Sequence, residues 1–233
     1  MTAREADWLD ALFARRQSAR SFHPEPISEP ELRALFAAAQ RAPSWCNIQP
    51  WRVYITAPPR TGELADALVA AATSEPKHPE IPYPPEYPEP YGDRRRACGY
   101  ALYRAMDISR DDRARRYDAW LRNYQLFGAP HVAVVCQDRR LGPYAGVDLG
   151  VWLGYLLAAA EARRIDTCPM ASIAAYPEPL RRALAIPEDE VVVFGVALGR
   201  RDGGAANDCR TERVPVDECV RFLEFPRESG DGG

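Results

Sequence analysis

Residues 148–162, DLGVWLGYLLAAAEA, are apolar on nearly every side of a helix, and no other segment limits the possible folds as much. Its leucines and Trp152 recur at the three- and four-residue spacing of a helix face, and the alanines and valine around them leave little polar surface. Exposing so much apolar surface to water is unfavourable, so the helix should be buried by other elements. We therefore predict a central core helix that ends near Arg164.

Helical and strand patterns are mixed along the rest of the chain. A capping box formed by Ser28 and Glu31 opens a helix that stops near Pro43. Further helices are predicted at 5–17, 61–73, 94–106, 110–126 and 177–184, with a short one at 216–222. Apolar runs predict strands at 51–56, 131–137, 166–168 and 191–199. This mixture predicts an α+β fold, and we expect residues 1–233 to form a single domain.

Two segments depart from regular structure. Residues 76–90 hold seven prolines in fifteen positions, interleaved with tyrosines. The segment could be a linker between domains, but its tyrosines and its lack of Gly/Ser composition favour a rigid, packed excursion over 76–93. The second segment is a charged C-terminal arm at 207–233, whose Gly/Ser/Asp end we expect to be frayed.

Composition excludes several classes of function. With 30 basic and 33 acidic residues, the chain has no net positive charge that would favour nucleic acid or an anionic membrane. The N-terminus lacks the pattern of a signal peptide and no run of about 18 uninterrupted apolar residues occurs, so we expect a cytoplasmic protein without a membrane span. The six cysteines form no CxxC pair and the three histidines lie far apart, which argues against a metal site.

A cationic cluster follows the predicted first helix. Arg16, Ser18 and Arg20 place two guanidinium groups and a hydroxyl within five residues. Arginine pairs with phosphate oxygens in a bidentate manner, and serine adds a further donor, so the cluster suits a phosphate monoester. Taken alone, the same residues could form a solvated charged turn.

A proline-bounded loop follows the second helix. Residues 42–51, APSWCNIQPW, present hydroxyl and amide groups on a backbone that its prolines restrict. Such groups can bind the edge of a heteroaromatic ring, such as the pyrimidine half of a flavin. The alternative is an N-capping turn with Trp51 packed in the core.

Two motifs follow one another in the chain: Arg-x-Ser-x-Arg at 16–20 and Ala-Pro-Ser-x-x-Asn-x-Gln-Pro-Trp at 42–51. In this order they resemble the opening of the FMN-dependent nitroreductase family. The resemblance continues through 148–162, 166–171, 191–199 and 211–215, and within the family it is strongest to a branch that includes nitrobenzoate reductases. It implies a nitroreductase-like fold, with a central mixed, mainly antiparallel sheet flanked by helices. It also implies a homodimer with FMN at the subunit interface and a C-terminal extension exchanged between subunits.

The resemblance assigns roles to three groups of residues. It implies that the FMN phosphate and ribityl chain are bound by Arg16, Gln17, Ser18, Arg20 and Arg213. It implies that the partner subunit's flavin is contacted by Pro43, Ser44, Trp45 and Asn47. The turn at the flavin ring would be formed by Pro169, Met170 and Ala171, and the Ala171 backbone N–H would donate to flavin N5. No catalytic side chain is implied, and Asn207 has a spacing that suits the C-terminal segment of the family.

The implied activity is ping-pong reduction of nitroaromatic or quinone-type acceptors by NADPH or NADH. No G-x-G-x-x-G fingerprint is present, so the nicotinamide would bind only transiently. A small aromatic substrate could be bound by Tyr83, Tyr87 and Tyr91 in the excursion, although these side chains could instead pack across a dimer. Arg94, Arg95 and Arg96 could recognise a carboxylate, but a solvated helix face is the favoured interpretation.

Other functions remain open on the same sequence. The fold could serve a flavin-dependent dehydrogenase or dehalogenase, because one scaffold hosts several chemistries. It could also be a flavin-binding regulatory protein with little turnover. A dimeric interaction module without flavin would require both motifs to be coincidental.

Overall fold

A four-stranded sheet forms the centre of the molecule, as seen in a computed structural model that describes residues 3–223. The strands are β1 (Arg52–Ile55), β2 (His131–Asp138), β3 (Asp166–Met170) and β4 (Glu190–Gly199). Their order is β1-β2-β4-β3, and every neighbouring pair is antiparallel. The two long central strands, β2 and β4, are buried because helices cover both faces of the sheet.

Helices surround this sheet. They are α1 (Ala3–Arg15), α2 (Glu29–Ala39), α3 (Arg60–Ser74), α4 (Tyr91–Ala105), α5 (Arg113–Leu121), α6 (Pro143–Ala162), α7 (Pro177–Leu184) and the short α8 (Val216–Cys219). The predicted α+β class is confirmed. The predicted frayed end of the C-terminal arm lies outside the described residues from position 224 onward.

Strand β2 divides the core into two halves because successive side chains point to opposite faces of a sheet. Val132, Val134 and Cys136 pack with α3 and α7 on one face. Ala133 and Val135 pack with α2 and α6 on the other. In the second half the Trp152 ring of α6 stacks between two other rings, with centroid distances of 6.2 Å to both Phe36 and Trp51.

Helix α6 is buried on one side only, which differs from the predicted core helix. Leu149, Trp152 and Leu156 are inside the core, whereas the other side of the helix is open along Tyr144, Val147, Val151 and Tyr155. By length and composition α6 could also cross a membrane, but the core helix of a globular protein passes the same test. Apolar residues therefore lie on two sides of α6, and within residues 3–223 only one of these sides is covered.

Several helix boundaries differ from the sequence prediction. Helix α1 ends at Arg15 and not at 17, because residues 16–20 leave the helix to contact β3. Helix α4 begins at Tyr91, directly after Pro90, so this tyrosine is helical and not part of the excursion. Helix α5 begins at Arg113 and not at 110, because the Asp112 side chain caps its first turn by accepting from the Arg115 N–H, and it ends at Leu121 and not at 126.

The sheet prediction needs one refinement. The resemblance implied a mixed sheet, yet the named strands pair only in the antiparallel sense. In residues 3–223 the parallel component is a single bridge between Ser18 and Thr167 at the open side of β3. The Ala19 N–H donates to the Thr167 carbonyl at 2.9 Å. This bridge fixes the cationic cluster beside the edge of the sheet.

Candidate active site

The cationic cluster lies against β3. Ala19, the residue before Arg20, is fully buried, and Ser18 pairs with Thr167. Burial raises the pKa of the Cys168 thiol to about 11, and the positive charges of Arg20 and Arg16 oppose that rise. Both guanidinium groups therefore act on the same strand position. The structure brings together the two arginines that the sequence predicted to bind phosphate.

Asn207 attaches this segment to the C-terminal part of the chain. Its Oδ1 accepts from the Arg20 N–H at 2.7 Å, and its Nδ2 donates to the carbonyls of Ser21 (2.9 Å) and Asp202 (3.1 Å). The side chain is thus a buried polar group whose hydrogen bonds join two distant segments. Asn207 orients the backbone of the cluster.

Two further side chains meet at the Asn207 carbonyl. Gln17 Nε2 donates to it at 3.3 Å, and Arg210 Nη1 donates at 2.7 Å. Arg210 thereby lies next to the cluster, and sequence reasoning missed it because an irregular loop has no periodicity to follow. Arg213 instead binds its own turn, donating to the Thr211 and Glu212 carbonyls at 3.2 and 3.0 Å. Its phosphate contact stays a prediction.

The cluster fits the phosphate and ribityl parts of FMN. Arg16, Ser18 and Arg20 supply donors suited to a phosphate. Gln17 Oε1 is buried and has no hydrogen-bond partner within residues 3–223. A buried acceptor without a donor is unfavourable, and a ribityl hydroxyl is a donor of the required kind.

The loop after α2 has an unusual backbone. Cys46, Asn47 and Gln49 all have positive φ, between 48° and 56°, although none is glycine. The loop is closed by its own polar groups, since the Gln49 N–H donates to Ser44 Oγ at 2.9 Å. Backbone of this kind persists only when surrounding contacts determine it, and it is frequent at functional sites.

A buried carboxylate on α6 holds the loop in place. Asp148 is 5 % exposed, and its Oδ1 accepts from the Trp45 N–H at 2.9 Å. The Trp45 and Tyr144 rings pack edge to face with their centroids 4.9 Å apart, but Trp45 remains 60 % exposed. Trp51, in contrast, packs in the core, as the alternative interpretation of this segment required. Pro43, Trp45 and Asn47, which the resemblance implies as contacts of the partner's flavin, are therefore exposed in this chain.

The turn after β3 lies at the end of the same edge. Pro169 and Met170 complete the strand, and Ala171 begins a turn that continues as a 3₁₀ helix over Ser172–Ala175. The Ala171 carbonyl accepts from the Tyr83 hydroxyl at 2.6 Å and from the Ala174 N–H at 3.2 Å. Burial, with smaller effects of Tyr176 and Tyr87, raises the pKa of Tyr83, so its hydroxyl is protonated at neutral pH and donates.

A cleft of about 640 Å³ opens between this turn, the proline-rich excursion and α4. Tyr83 and Tyr87 line it, together with Trp120 of α5 and Ala171. Tyr91 is not among its lining residues; its ring lies beside the Arg94 guanidinium, whose carbon is 5.7 Å from the ring centroid. Two of the three predicted substrate-binding tyrosines are therefore brought to the flavin-type turn.

The excursion is anchored at its start. The His78 N–H donates to the Ala175 carbonyl at 2.9 Å. Glu80 accepts from Arg139 and Arg181, each at 2.6 Å, and from the Val192 N–H at 2.9 Å. Burial would raise the pKa of Glu80, but these donors outweigh it and the pKa is lowered. The wall of the cleft is thus tied to the sheet.

No group of three His, Cys, Asp or Glu side chains in the described part of the chain could hold a metal ion.

Comparison with known proteins identifies the architecture as that of flavin nitroreductases. The NADPH- and FMN-dependent nitroreductase NfnB of a Sphingopyxis strain superposes with a TM-score of 0.89 at 32% identity, over 93% of this chain and 99% of that one. NfnB of Mycobacterium smegmatis, solved in complex with NADPH, gives the same TM-score at 30% identity, over 93% and 98%. A 4-nitrobenzoate reductase of a Nocardioides strain is 32% identical over 92% of this chain and 90% of its own length.

A model of the nitroreductase family matches residues 13–200. The chain belongs to the nitroreductase family, and the resemblance inferred from the motifs is confirmed.

Proposed function

We propose that this protein is an FMN-dependent oxidoreductase that oxidises NADPH or NADH and reduces nitroaromatic or quinone-type acceptors, including nitrobenzoate-like ones. The observation that carries the proposal is the attachment of residues 16–20 to β3, the strand that leads into the Ala171 turn, through Ser18 and Ala19 at Thr167. A site for the FMN phosphate and a site for the flavin ring would then lie along the same edge strand, β3. Relatives with FMN and NADPH dependence support the same assignment.

FMN would supply the centre that accepts hydride from the nicotinamide and passes it to the acceptor. The chain's own residues would bind and orient it. Arg16 and Arg20 would neutralise the phosphate, and the Ala171 N–H would donate to flavin N5. Arg210 is a further candidate for the phosphate, since it shares the Asn207 carbonyl with Gln17.

The cleft supports a ping-pong order of binding. Its volume of about 640 Å³ is within the range of sites for one small molecule. Nicotinamide and acceptor would therefore occupy it in turn, each against Tyr83 and Tyr87. Tyr83 is tied to the turn by its hydrogen bond to Ala171, so the wall of the cleft and the flavin turn would hold a fixed separation.

The open surface of α6 supports a homodimer. Tyr144, Val147, Val151 and Tyr155 form an exposed stripe, and Trp45 adjoins it through its contact with Tyr144. A contiguous apolar patch of this kind marks an interaction surface. We propose that a second copy covers the stripe, that the loop at 43–47 reaches the partner's flavin, and that the C-terminal arm is exchanged. We also propose that the dimer functions in the cytoplasm.

The visible spectrum of the purified protein tests the proposal. We expect a flavin spectrum that bleaches with NADPH or NADH in the absence of oxygen and returns when 4-nitrobenzoate is added. A flavin protein that does not react with either nicotinamide would instead indicate a flavin-binding regulatory role. A protein that stays colourless after incubation with FMN would contradict the proposal.

A further inference from the structure

The three consecutive arginines at the start of α4 have three different surroundings. Arg94 donates to Glu218 at 3.0 Å. Arg96 pairs with Glu89 and Asp93, each at 2.5 Å, and the hydrogen bonds that it donates to these two carboxylates raise its pKa. Both charges are thus balanced by acids within reach.

Arg95 differs from both neighbours. Its guanidinium carbon lies 5.2 Å from the centroid of the Tyr87 ring, and no carboxylate within residues 3–223 pairs with it. It also lines the cleft that ends at Ala171. A cation over an aromatic face keeps its N–H groups free at its rim, where they can donate to an anion.

Positively charged side chains outnumber negatively charged ones around the cleft. Lys77 and Arg95 line it from opposite ends of the excursion, and Glu86 is the acid among the lining residues. Arg96 lines it too, but its charge is already paired with Glu89 and Asp93. The cleft therefore combines aromatic rings, which suit a planar ligand, with a net positive lining, which favours a negative one.

We propose that Arg95, assisted by Lys77, forms an anion-binding subsite at the mouth of the acceptor cleft. This inference rests on the proposed function and names the class of ligand that the site prefers: a planar molecule with a carboxylate or phosphate. Two sources share this chemistry, a carboxylated aromatic acceptor and the 2′-phosphate that distinguishes NADPH from NADH. The Tyr87 ring holds the guanidinium at the edge of the cleft, and the ligand's ring lies between this edge and the Ala171 turn.

The matched pair of variants is Arg95→Gln and Arg94→Gln. Both remove one exposed charge from adjacent positions of one helix, but only Arg95 lines the cleft. In the oxidative half-reaction, prereduced protein is mixed with 4-nitrobenzoate or with uncharged nitrobenzene. In the reductive half-reaction, oxidised protein is mixed with NADPH or NADH, and flavin absorbance is followed in each.

We expect Arg95→Gln to lower the preference for the more negatively charged member of at least one pair, 4-nitrobenzoate or NADPH, by roughly three- to tenfold, as suits a partly solvated charge-assisted hydrogen bond. Arg94→Gln should leave both preferences unchanged. A loss in the first pair identifies a carboxylate ligand, and a loss in the second identifies the dinucleotide phosphate. Unchanged preferences in both pairs, or equal losses in the two variants, would overturn the proposal.

Binding of 4-nitrobenzoate and nitrobenzene by calorimetry measures the same preference without turnover. If the flavin is not reduced by nicotinamides, the proposed function fails while this experiment still decides the subsite. Raising the ionic strength should reduce the preference of the unaltered protein for nitrobenzoate, because an exposed ion pair is screened by salt. An affinity that does not change with salt would also contradict an electrostatic subsite.

Discussion

Two of the segments predicted to contact the flavin are built in opposite ways. Residues 16–20 are joined to the rest of the chain by backbone hydrogen bonds to β3 and by the buried Asn207 side chain. Residues 44–49 contact the rest of the chain through Asp148 and Tyr144, have left-handed backbone at three positions, and expose Trp45 and Ile48. The first segment is complete within one chain. The second has the exposed apolar surface of a segment that a second chain would complete.

The largest effect should come from preventing a second chain from covering the loop at 44–49. Val147→Glu combined with Val151→Glu places charges on the exposed stripe of α6 without touching the core. We expect a folded monomer whose affinity for FMN is about 100-fold lower, as the loss of two or three hydrogen bonds from the partner loop requires. Sedimentation and FMN fluorescence titration measure both properties.

Tyr117→Glu on α5, which likewise places a charge at an exposed hydrophobic position, is the control and should leave assembly intact. A double-glutamate protein that remains dimeric, or a monomer that binds FMN normally, would remove the distinction between the two segments.

The next effect concerns the complete segment. Asn207→Leu leaves the Arg20 N–H and the Ser21 carbonyl without their partner in a buried setting. We expect the free energy of unfolding to fall by about 2–4 kcal/mol, because buried polar groups lose their hydrogen bonds. Denaturant unfolding measures the change. Asn207→Asp retains the acceptor for Arg20 but turns a carboxylate oxygen toward the Ser21 and Asp202 carbonyls, so it should also be less stable than the unaltered protein. Equal stability of all three proteins would disprove the role of Asn207.

A smaller effect is expected at the loop. Asp148→Ala removes the acceptor of the Trp45 N–H and should lower the free energy of unfolding by about 1–2 kcal/mol. Limited proteolysis should show faster cleavage within 44–49. Asp148→Asn keeps an oxygen at the same position and should protect the loop. If the alanine variant resists protease as well as the unaltered chain, another contact determines the left-handed backbone.

The smallest effect is one of pH, and it concerns Asp202 and Ser21, which adjoin the complete segment. Burial would raise the pKa of Asp202, but the Ser21 hydroxyl and the Gly204 N–H donate to its carboxylate and lower the pKa overall. A lowered pKa adds stability that is present above the ordinary carboxyl value of about 4 and is lost as the pH falls through the folded value. Ser21→Ala should therefore lose less stability on acidification than the unaltered chain. NMR titration of Asp202 checks the direction of the shift.

Much of the fold could be predicted from local pattern. The runs at 131–137 and 191–199 became β2 and β4 because continuous apolar residues of this length fit a strand covered on both faces. Helix α7 occupies the predicted residues 177–184, since a proline at the first position and an αL residue after the last define its ends. The capping box at Ser28 is present as predicted.

The remaining features depend on contacts between distant residues. Asp148 and Trp45 are 103 positions apart, so no periodicity links them. Arg94, Arg95 and Arg96 are chemically identical in the sequence. Only the folded surroundings of α4 distinguish Arg95, which lies over the Tyr87 ring and pairs with no carboxylate of residues 3–223, from its two paired neighbours. Arg210 was missed for the same reason, because its position near the cluster follows from the path of an irregular loop.

The bridge between Ser18 and Thr167 also affects how the chains behave toward one another. Strand β3 is the last strand of the sheet, and an uncovered edge strand can pair with a strand of another molecule and start aggregation. The Ala19 N–H already donates to the Thr167 carbonyl at this edge, and Pro169 has no N–H that could donate to another strand. The segment that positions the arginines thus also caps the sheet, and chains in which it is loosened would tend to pair edge to edge at high concentration.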